Sequence, residues 1–164
     1  MIVRAATVAD AEAIRDIYNL EVETSTVTFD LRPRSLDEQV AWLAERSGAR
    51  TAVIACDDDG TILGFGALST YRDRPAYSTT VEDSVYVHRG HHRRGVGAAL
   101  LNDLIERARL HGFHSVVARI VGGHDASIAL HSAVGFEVVG HERQVGRKFG
   151  RWLDVIIMQL VFED

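Results

Sequence analysis

Val85-Tyr86-Val87-His88-Arg89-Gly90-His91-His92-Arg93-Arg94-Gly95-Val96-Gly97-Ala98-Ala99-Leu100-Leu101 is the stretch on which the fold turns. Alternating residues up to about His88 read as a strand end. A basic turn follows, and Gly95-Val96-Gly97 opens a strongly apolar helix. A helix start presents backbone N–H groups with no intrahelical acceptor and a partial positive charge, and glycines let a ligand approach closely. Arg93 and Arg94 add positive charge. The arrangement suits a phosphate, although a Gly-x-Gly alone equally describes a tight turn with nothing bound. The dinucleotide-binding Gly-x-Gly-x-x-Gly is excluded, because Leu100 holds its third position, and no Walker lysine is present.

Outward from this turn the pattern is regular. Downstream, Val96, Leu100, Leu101, Leu104, Ile105 and Ala108 form one stripe of a helix over Gly95–His111. His114–Val121 reads as a buried strand, Asp125–Val134 as a shorter helix, and Phe136–Val145 and Trp152–Phe162 as two final strands. Upstream, Val81, Asp83, Val85 and Val87 alternate with Thr80, Glu82, Ser84, Tyr86 and His88, which is strand periodicity. Tyr71–Thr79 is a loop, and Thr51–Cys56 with Thr61–Thr70 form a hairpin across Asp57–Gly60. Ser35 and Glu38 make a capping box for a helix that Gly48 ends. Thr7 caps a helix over Val8–Glu23, after a strand at Ile2–Ala5. The order β-α-α-β-β-β-α-β-α-β-β predicts a mixed α/β fold with one β-α-β crossover at its centre.

The 164 residues fit a single domain spanning 1–164. A formal net charge of −5 argues against a general nucleic-acid binder. The lone Cys56 permits no intrachain disulfide and suits a reducing compartment. No segment reads as a signal peptide or a membrane span, so the expected location is the cytoplasm. His88, His91 and His92 cluster without an acidic or cysteine partner in zinc spacing, and no metal is expected.

The turn His92-Arg93-Arg94-Gly95-Val96-Gly97 resembles the pyrophosphate loop of the GCN5-related N-acetyltransferases (GNAT), Gln/Arg-x-x-Gly-x-Gly/Ala, with His in the leading place. Four further segments are similar to the phosphinothricin and methionine sulfoximine N-acetyltransferases of that superfamily. They are Tyr71–Tyr77, Val81–Val87, Ser127-x-x-Leu130-His131-x-x-x-Gly135-Phe136, and Val145–Asp154. The resemblance implies a GNAT fold, α/β (α+β), with a mixed central sheet of about six or seven strands flanked by about four helices. It implies acetyl-CoA as co-substrate, a small-molecule amine as acceptor, and a homodimer in which the late segment packs at the interface.

Making an amide from a thioester requires a base for the amine, a donor for the developing oxyanion and a stable or protonated leaving thiolate. By resemblance Glu82 is the base. On sequence alone it reads more readily as a surface strand glutamate in an ion pair. The resemblance also implies a bulge that frees the backbone of Val85, Tyr86 and Val87 for pantetheine, with the N–H of Val85 or a neighbour as oxyanion donor. His131 stands where the superfamily often has a tyrosine; it either donates a proton or only hydrogen-bonds. Ser127 and His131 share a helical face. His124 stands where the family usually has an asparagine that touches pantetheine or substrate. His92, Arg93, Arg94, Gly95, Val96, Gly97 and Ala98 make up the diphosphate site. Arg72 and Arg74, with Asp73 between them, can clamp a carboxylate in bidentate fashion. Ser84 belongs with Glu82, and Phe29, Lys148, Phe149 and Trp152 complete the acceptor pocket by resemblance. Two other readings stay open: acetylation of protein N-termini or lysines, and a non-catalytic acyl-CoA-binding module.

Overall fold

The segments form in the expected order in the computed structural model, which describes residues 1–163. They are β1 (Ile2–Ala5), α1 (Ala11–Thr24), α2 (Leu36–Ala44), β2 (Ala52–Cys56), β3 (Ile62–Thr70), β4 (Thr80–Val87), α3 (Val96–Leu110), β5 (Ser115–Val121), α4 (Asp125–Ala133), β6 (Glu137–Lys148) and β7 (Arg151–Val161). A 3-10 turn at Val8–Asp10 leads into α1, and the Thr7 N–H donates to Asp10 Oδ2 at 2.8 Å. Ser35 and Glu38 cap α2 reciprocally, as the spacing predicts.

The seven strands lie in the order β1-β2-β3-β4-β5-β7-β6. Every pairing is antiparallel except β4 with β5, which α3 joins as the single crossover. Two apolar layers cover the sheet. On one face Leu100, Leu101, Leu104 and Ala108 of α3 pack on Val81, Val116, Ala118 and Met158, with Ile128 and Leu130 of α4 beside them. On the other, Ile14, Ile17, Tyr18 and Val22 of α1 and Leu43 of α2 pack on Ile54, Phe65 and Ala67. The strand alternation therefore sorts β4: Val81, Val85 and Val87 face the α3 layer, and Tyr86 faces the α1 layer.

Three details depart from the sequence reading. The second helix stops at Ala44, short of Gly48, with Glu45 as its C-cap. The segment after Val145 is a strand rather than a loop: β6 runs to Lys148 and turns tightly through Phe149 and Gly150, both at positive φ (52° and 73°). Its glycines, its charges and a register break between Glu142 and Gly146 hide the period-two pattern. Third, the implied bulge in β4 is absent from its pairing with β3, which runs unbroken from Gly64↔Val87 to Thr70↔Val81. The opening arises another way. β4 pairs with β5 only from Thr80↔Ser115 to Asp83↔Ala118, after which the two strands part.

Candidate active site

That fork is the site. Four residues of β4, Ser84 to Val87, continue past the last pair with β5 and keep β3 as their only strand neighbour. Backbone direction alternates along a strand. The His88 N–H donates to Leu63 O of β3 at 2.8 Å, so the polar groups of Val87 and Val85 point into the fork. A cleft of about 660 Å³ opens there. Its walls are Glu82–Val87 of β4, Ala118–Ile120 of β5, the turn into α3, and His124, Ser127, Leu130 and His131 of the α4 segment, with Glu21 and Val27 at its rim.

The floor at one end is the start of α3. Gly95 adopts a left-handed φ of 77°, which a side chain would strain. The first bond of the helix runs from the Ala99 N–H to Gly95 O at 3.0 Å. The N–H groups of Val96, Gly97 and Ala98 thus have no acceptor within the helix, and these residues line the cleft. Gly97 packs where a Cβ would lie 3.2 Å from Leu130 Cδ2, so its small size also keeps α4 close. His92 lines the cleft and donates its Nε2–H to Val87 O at 3.1 Å, while Arg93 lines it at φ 60°. Arg94 instead donates to His91 Nδ1 at 2.8 Å and stands outside the lining. The free N–H row, the helix end and Arg93 fit a diphosphate, and the unpaired strand edge fits an amide-bearing arm.

Glu82 pairs with Ser69 on one side and Val117 on the other, at the closed end of the fork. Burial pushes its carboxyl above the usual range; Arg119 opposes this and Asp83 adds to it. A carboxylate whose pKa is raised by burial is a stronger base than an exposed one.

Asp83, the next residue, turns to the opposite face and is 6% exposed. Its Oδ2 lies 3.0 Å from His131 Nε2, and His131 Nδ1 lies 2.8 Å from Ser127 O. Both partners of the imidazole are acceptors when Asp83 is a carboxylate, so both ring nitrogens carry protons. Burial works against that charge, but the Asp83 hydrogen bond, its charge and the Ser127 carbonyl outweigh it, and the His131 pKa is raised. Asp83 Oδ1 is buried with no hydrogen-bond partner among the described residues.

His124 sits at the start of α4, with Nε2 2.9 Å from Thr26 Oγ1, which ties the chain after α1 to the cleft wall. Burial holds its pKa below the ordinary value, against the opposing charges of Glu21 and Asp125. The Tyr86 side chain leaves the cleft for the second core, stacked on Phe65 at 5.2 Å, and burial pushes its hydroxyl up to about 12.

The cleft thus gathers Glu82, Ser84, Val85, Tyr86, Val87, His92, Arg93, Gly95, Val96, Gly97, Ala98, His124, Ser127 and His131. It does not gather Phe29, Arg72, Asp73, Arg74, Lys148, Phe149 or Trp152. Arg72 lies over the rings of Tyr71 and Tyr77, 5.1 and 5.7 Å from their centroids. Lys148 is buried, with Nζ donating to Thr28 O at 2.9 Å. Phe29 lies against Gly146, and Phe149 and Trp152 are exposed. Four participants escaped the sequence reading: Asp83, Arg119, Glu21 and Thr26. A charged residue inside apolar SVVARIV was the signal for Arg119; nothing local marked Thr26, whose partner is 98 residues away.

Comparison with known proteins agrees with this geometry. The acetyltransferase (GNAT) domain family matches residues 3–157. An L-methionine sulfoximine/L-methionine sulfone acetyltransferase of Pseudomonas aeruginosa is 42% identical over 96% of this chain and 92% of its own. A phosphinothricin acetyltransferase of Sinorhizobium meliloti, solved in complex with acetyl-CoA, superposes with a TM-score of 0.94 at 37% identity, covering 98% of this chain and 87% of the other. A ribosomal-protein-alanine N-acetyltransferase of Brucella melitensis superposes with a TM-score of 0.96 at 36% identity, over 99% of this chain and 100% of its own.

Proposed function

From the premise that this chain belongs to the GNAT acetyltransferase family, and is an acetyl-CoA-dependent acyltransferase, we propose that it acetylates the primary amine of a small amino-acid-like acceptor. Methionine sulfone, methionine sulfoximine and phosphinothricin are the acceptor types. One observation carries the reading: a desolvated carboxylate, Glu82, stands at the closed end of a fork whose other end is a row of free helix N–H groups.

In this reading the N–H groups of Val96, Gly97 and Ala98, with Arg93, hold the diphosphate of acetyl-CoA. The free N–H and C=O of Val85 and the free N–H of Val87 pair with the pantetheine arm, beside Ser127 and His124. Bound acetyl-CoA supplies an acetyl group activated as a thioester. Glu82 removes the ammonium proton, directly or through a water, because an ammonium has no lone pair for attack. The Val85 N–H, aimed into the fork, is the donor for the developing oxyanion. His131 faces the cleft from the other side of β4. By resemblance the Tyr71–Tyr77 loop, with Arg72, Asp73 and Arg74, and Phe29, Lys148, Phe149 and Trp152 would complete the acceptor's surroundings, although none of them lines the cleft in this structure. The β6–β7 hairpin leaves Val138, Val139, Val145, Phe149 and Trp152 exposed, apolar surface that suits a homodimer. A buried, unpaired Cys56 is compatible with the reducing cytoplasm, and no helix is long and apolar enough to cross a membrane among the described residues.

The test is release of free thiol from acetyl-CoA with methionine sulfone, methionine sulfoximine or phosphinothricin as acceptor. Release with these acceptors supports the reading. Release only with alanine-terminated peptides transfers it to protein N-termini, a reading favoured by the likeness to the Brucella structure. Tight acetyl-CoA binding without release from any amine leaves a binding module. Sedimentation of an active monomer at micromolar concentration would remove the homodimer.

A further inference from the structure

We infer that Arg119 is an oxyanion-binding residue on the acceptor side of the cleft, taking a carboxylate or phosphinate oxygen of the acceptor while Glu82 faces its amine. The inference rests on the acyl transfer proposed above and adds the residue that selects acceptor charge.

Arg119 is the one exposed position of β5, whose other six residues are buried. An arginine is costly there unless its head group meets water or a partner. The register places it. Glu82 pairs with Val117, and Arg119 lies two residues further on, so both side chains stand on the same face of the sheet. The last β4–β5 pair, Asp83↔Ala118, falls between them. Arg119 is therefore the first β5 residue beyond the fork on the Glu82 side, and it lines the cleft.

Its guanidinium is anchored at one end only. Nη2 donates to the Glu142 carboxylate of β6, reaching past Ile157, which pairs with Arg119 from β7. Nε and Nη1 make no hydrogen bond among the described residues, and the side chain keeps 32% of its exposure. A guanidinium presents its donors as a rigid fork that matches two oxygens of one oxyanion, and Glu142 fixes the plane of that fork.

Other cations near the site are committed elsewhere or, like Arg74, stand outside the cleft lining. Arg93 belongs to the α3 end, and Lys148 donates to Thr28 O. Arg72 lies against two tyrosine rings, outside the lining. On the face that carries Glu82, the cleft itself holds Arg119. A zwitterionic acceptor would thus span an anion, Glu82, and a cation, Arg119, on adjacent strands.

The experiment is steady-state thiol release by wild type, Arg119→Gln and Glu142→Gln. The acceptors are methionine sulfone, its α-amide, and phosphinothricin. Arg119→Gln is expected to raise KM by about 10- to 100-fold for acceptors that carry the recognised anion, the loss of one charge-assisted contact. KM for the acceptor lacking that anion, and KM for acetyl-CoA, stay as in wild type. Collapse of the free-acid preference over the amide makes the α-carboxylate the ligand; collapse of the phosphinothricin preference over methionine sulfone makes it the side-chain anion. Either supports the inference. Glu142→Gln removes a competing carboxylate and is expected to leave KM for anionic acceptors equal or lower. Two results overturn the inference and spare the function: KM ratios identical in wild type and Arg119→Gln, or a KM rise in Glu142→Gln equal to that in Arg119→Gln. The second would make Arg119 merely half of an ion pair. Thiol release by wild type from none of these acceptors overturns the functional reading itself.

Discussion

Glu82 and Asp83 are neighbours in β4 and serve opposite faces of the sheet. Glu82 stands on the face of the α1 layer, beside Arg119. Asp83 reaches through the α3 layer to His131 at 3.0 Å. A two-residue period divides the acid–base groups of this cleft between its two sides, with the backbone of one strand between them.

Glu82→Gln is expected to lower kcat by at least about 100-fold and leave acetyl-CoA affinity unchanged, since a general base supplies roughly two to four orders of magnitude. It also has a stability signature. The folded pKa of Glu82 is raised, so the carboxylate weakens the fold above that pKa, and the penalty vanishes below the unfolded carboxyl range. The Gln variant should therefore melt at or above the wild-type temperature near pH 8 and match it near pH 4. Thermal melts across that range check this. A less stable variant at pH 8 would contradict the burial argument.

Asp83→Asn takes the carboxylate away from the buried imidazole of His131. The His131 pKa is raised in the folded state, so the pair's contribution is complete below the ordinary histidine range and fades as pH rises through the raised value. The variant's loss of stability should accordingly be largest near pH 6 and smaller near pH 9. Breaking such a buried pair costs about 3–5 kcal/mol at most. Denaturant titrations at the two pH values give the comparison.

His124→Asn tests the tie to Thr26. The folded His124 pKa is lowered, so the neutral ring favours the fold above the ordinary histidine range, and this support is lost as pH falls through the lowered value. Wild-type kcat/KM for acetyl-CoA should fall on the acid side, as protonation charges a ring that lines the cleft. The Asn variant, which keeps a polar group and cannot titrate at this position, should retain only the acid limb that protonation of Glu82 imposes. Identical acid limbs would separate His124 from the cofactor site.

Gly95→Ala forces a side chain into a left-handed φ of 77°. No atom lies within 4 Å of the added Cβ, so the cost is conformational, about 1 kcal/mol. Because that residue sets the direction of the free N–H groups of Val96, Gly97 and Ala98, KM for acetyl-CoA should rise about tenfold with little change in melting temperature. Calorimetry with acetyl-CoA checks it.

Local pattern was enough for the element order. Alternation in β4, the apolar stripe of α3 and the Ser35–Glu38 box each record a backbone periodicity or a cap within a few residues. The phosphate-binding turn was legible for the same reason, since Gly95 and Gly97 answer to local geometry. The late hairpin was half legible: a register break at Glu142–Gly146 erased its alternation, so Lys148 read as loop.

What only the tertiary structure decided is which distant residues share the cleft. Glu82 stands beside Arg119 where β4 and β5 pair for four residues and then diverge, while Asp83 meets His131 and Thr26 meets His124 through the placement of α4. Where two strands separate depends on how the helices pack on both faces of the sheet, and no window along the chain contains that information. Sequence dictated the parts and their polarity; the packing of two layers chose the partners, because side-chain direction along a strand is local and strand separation is not.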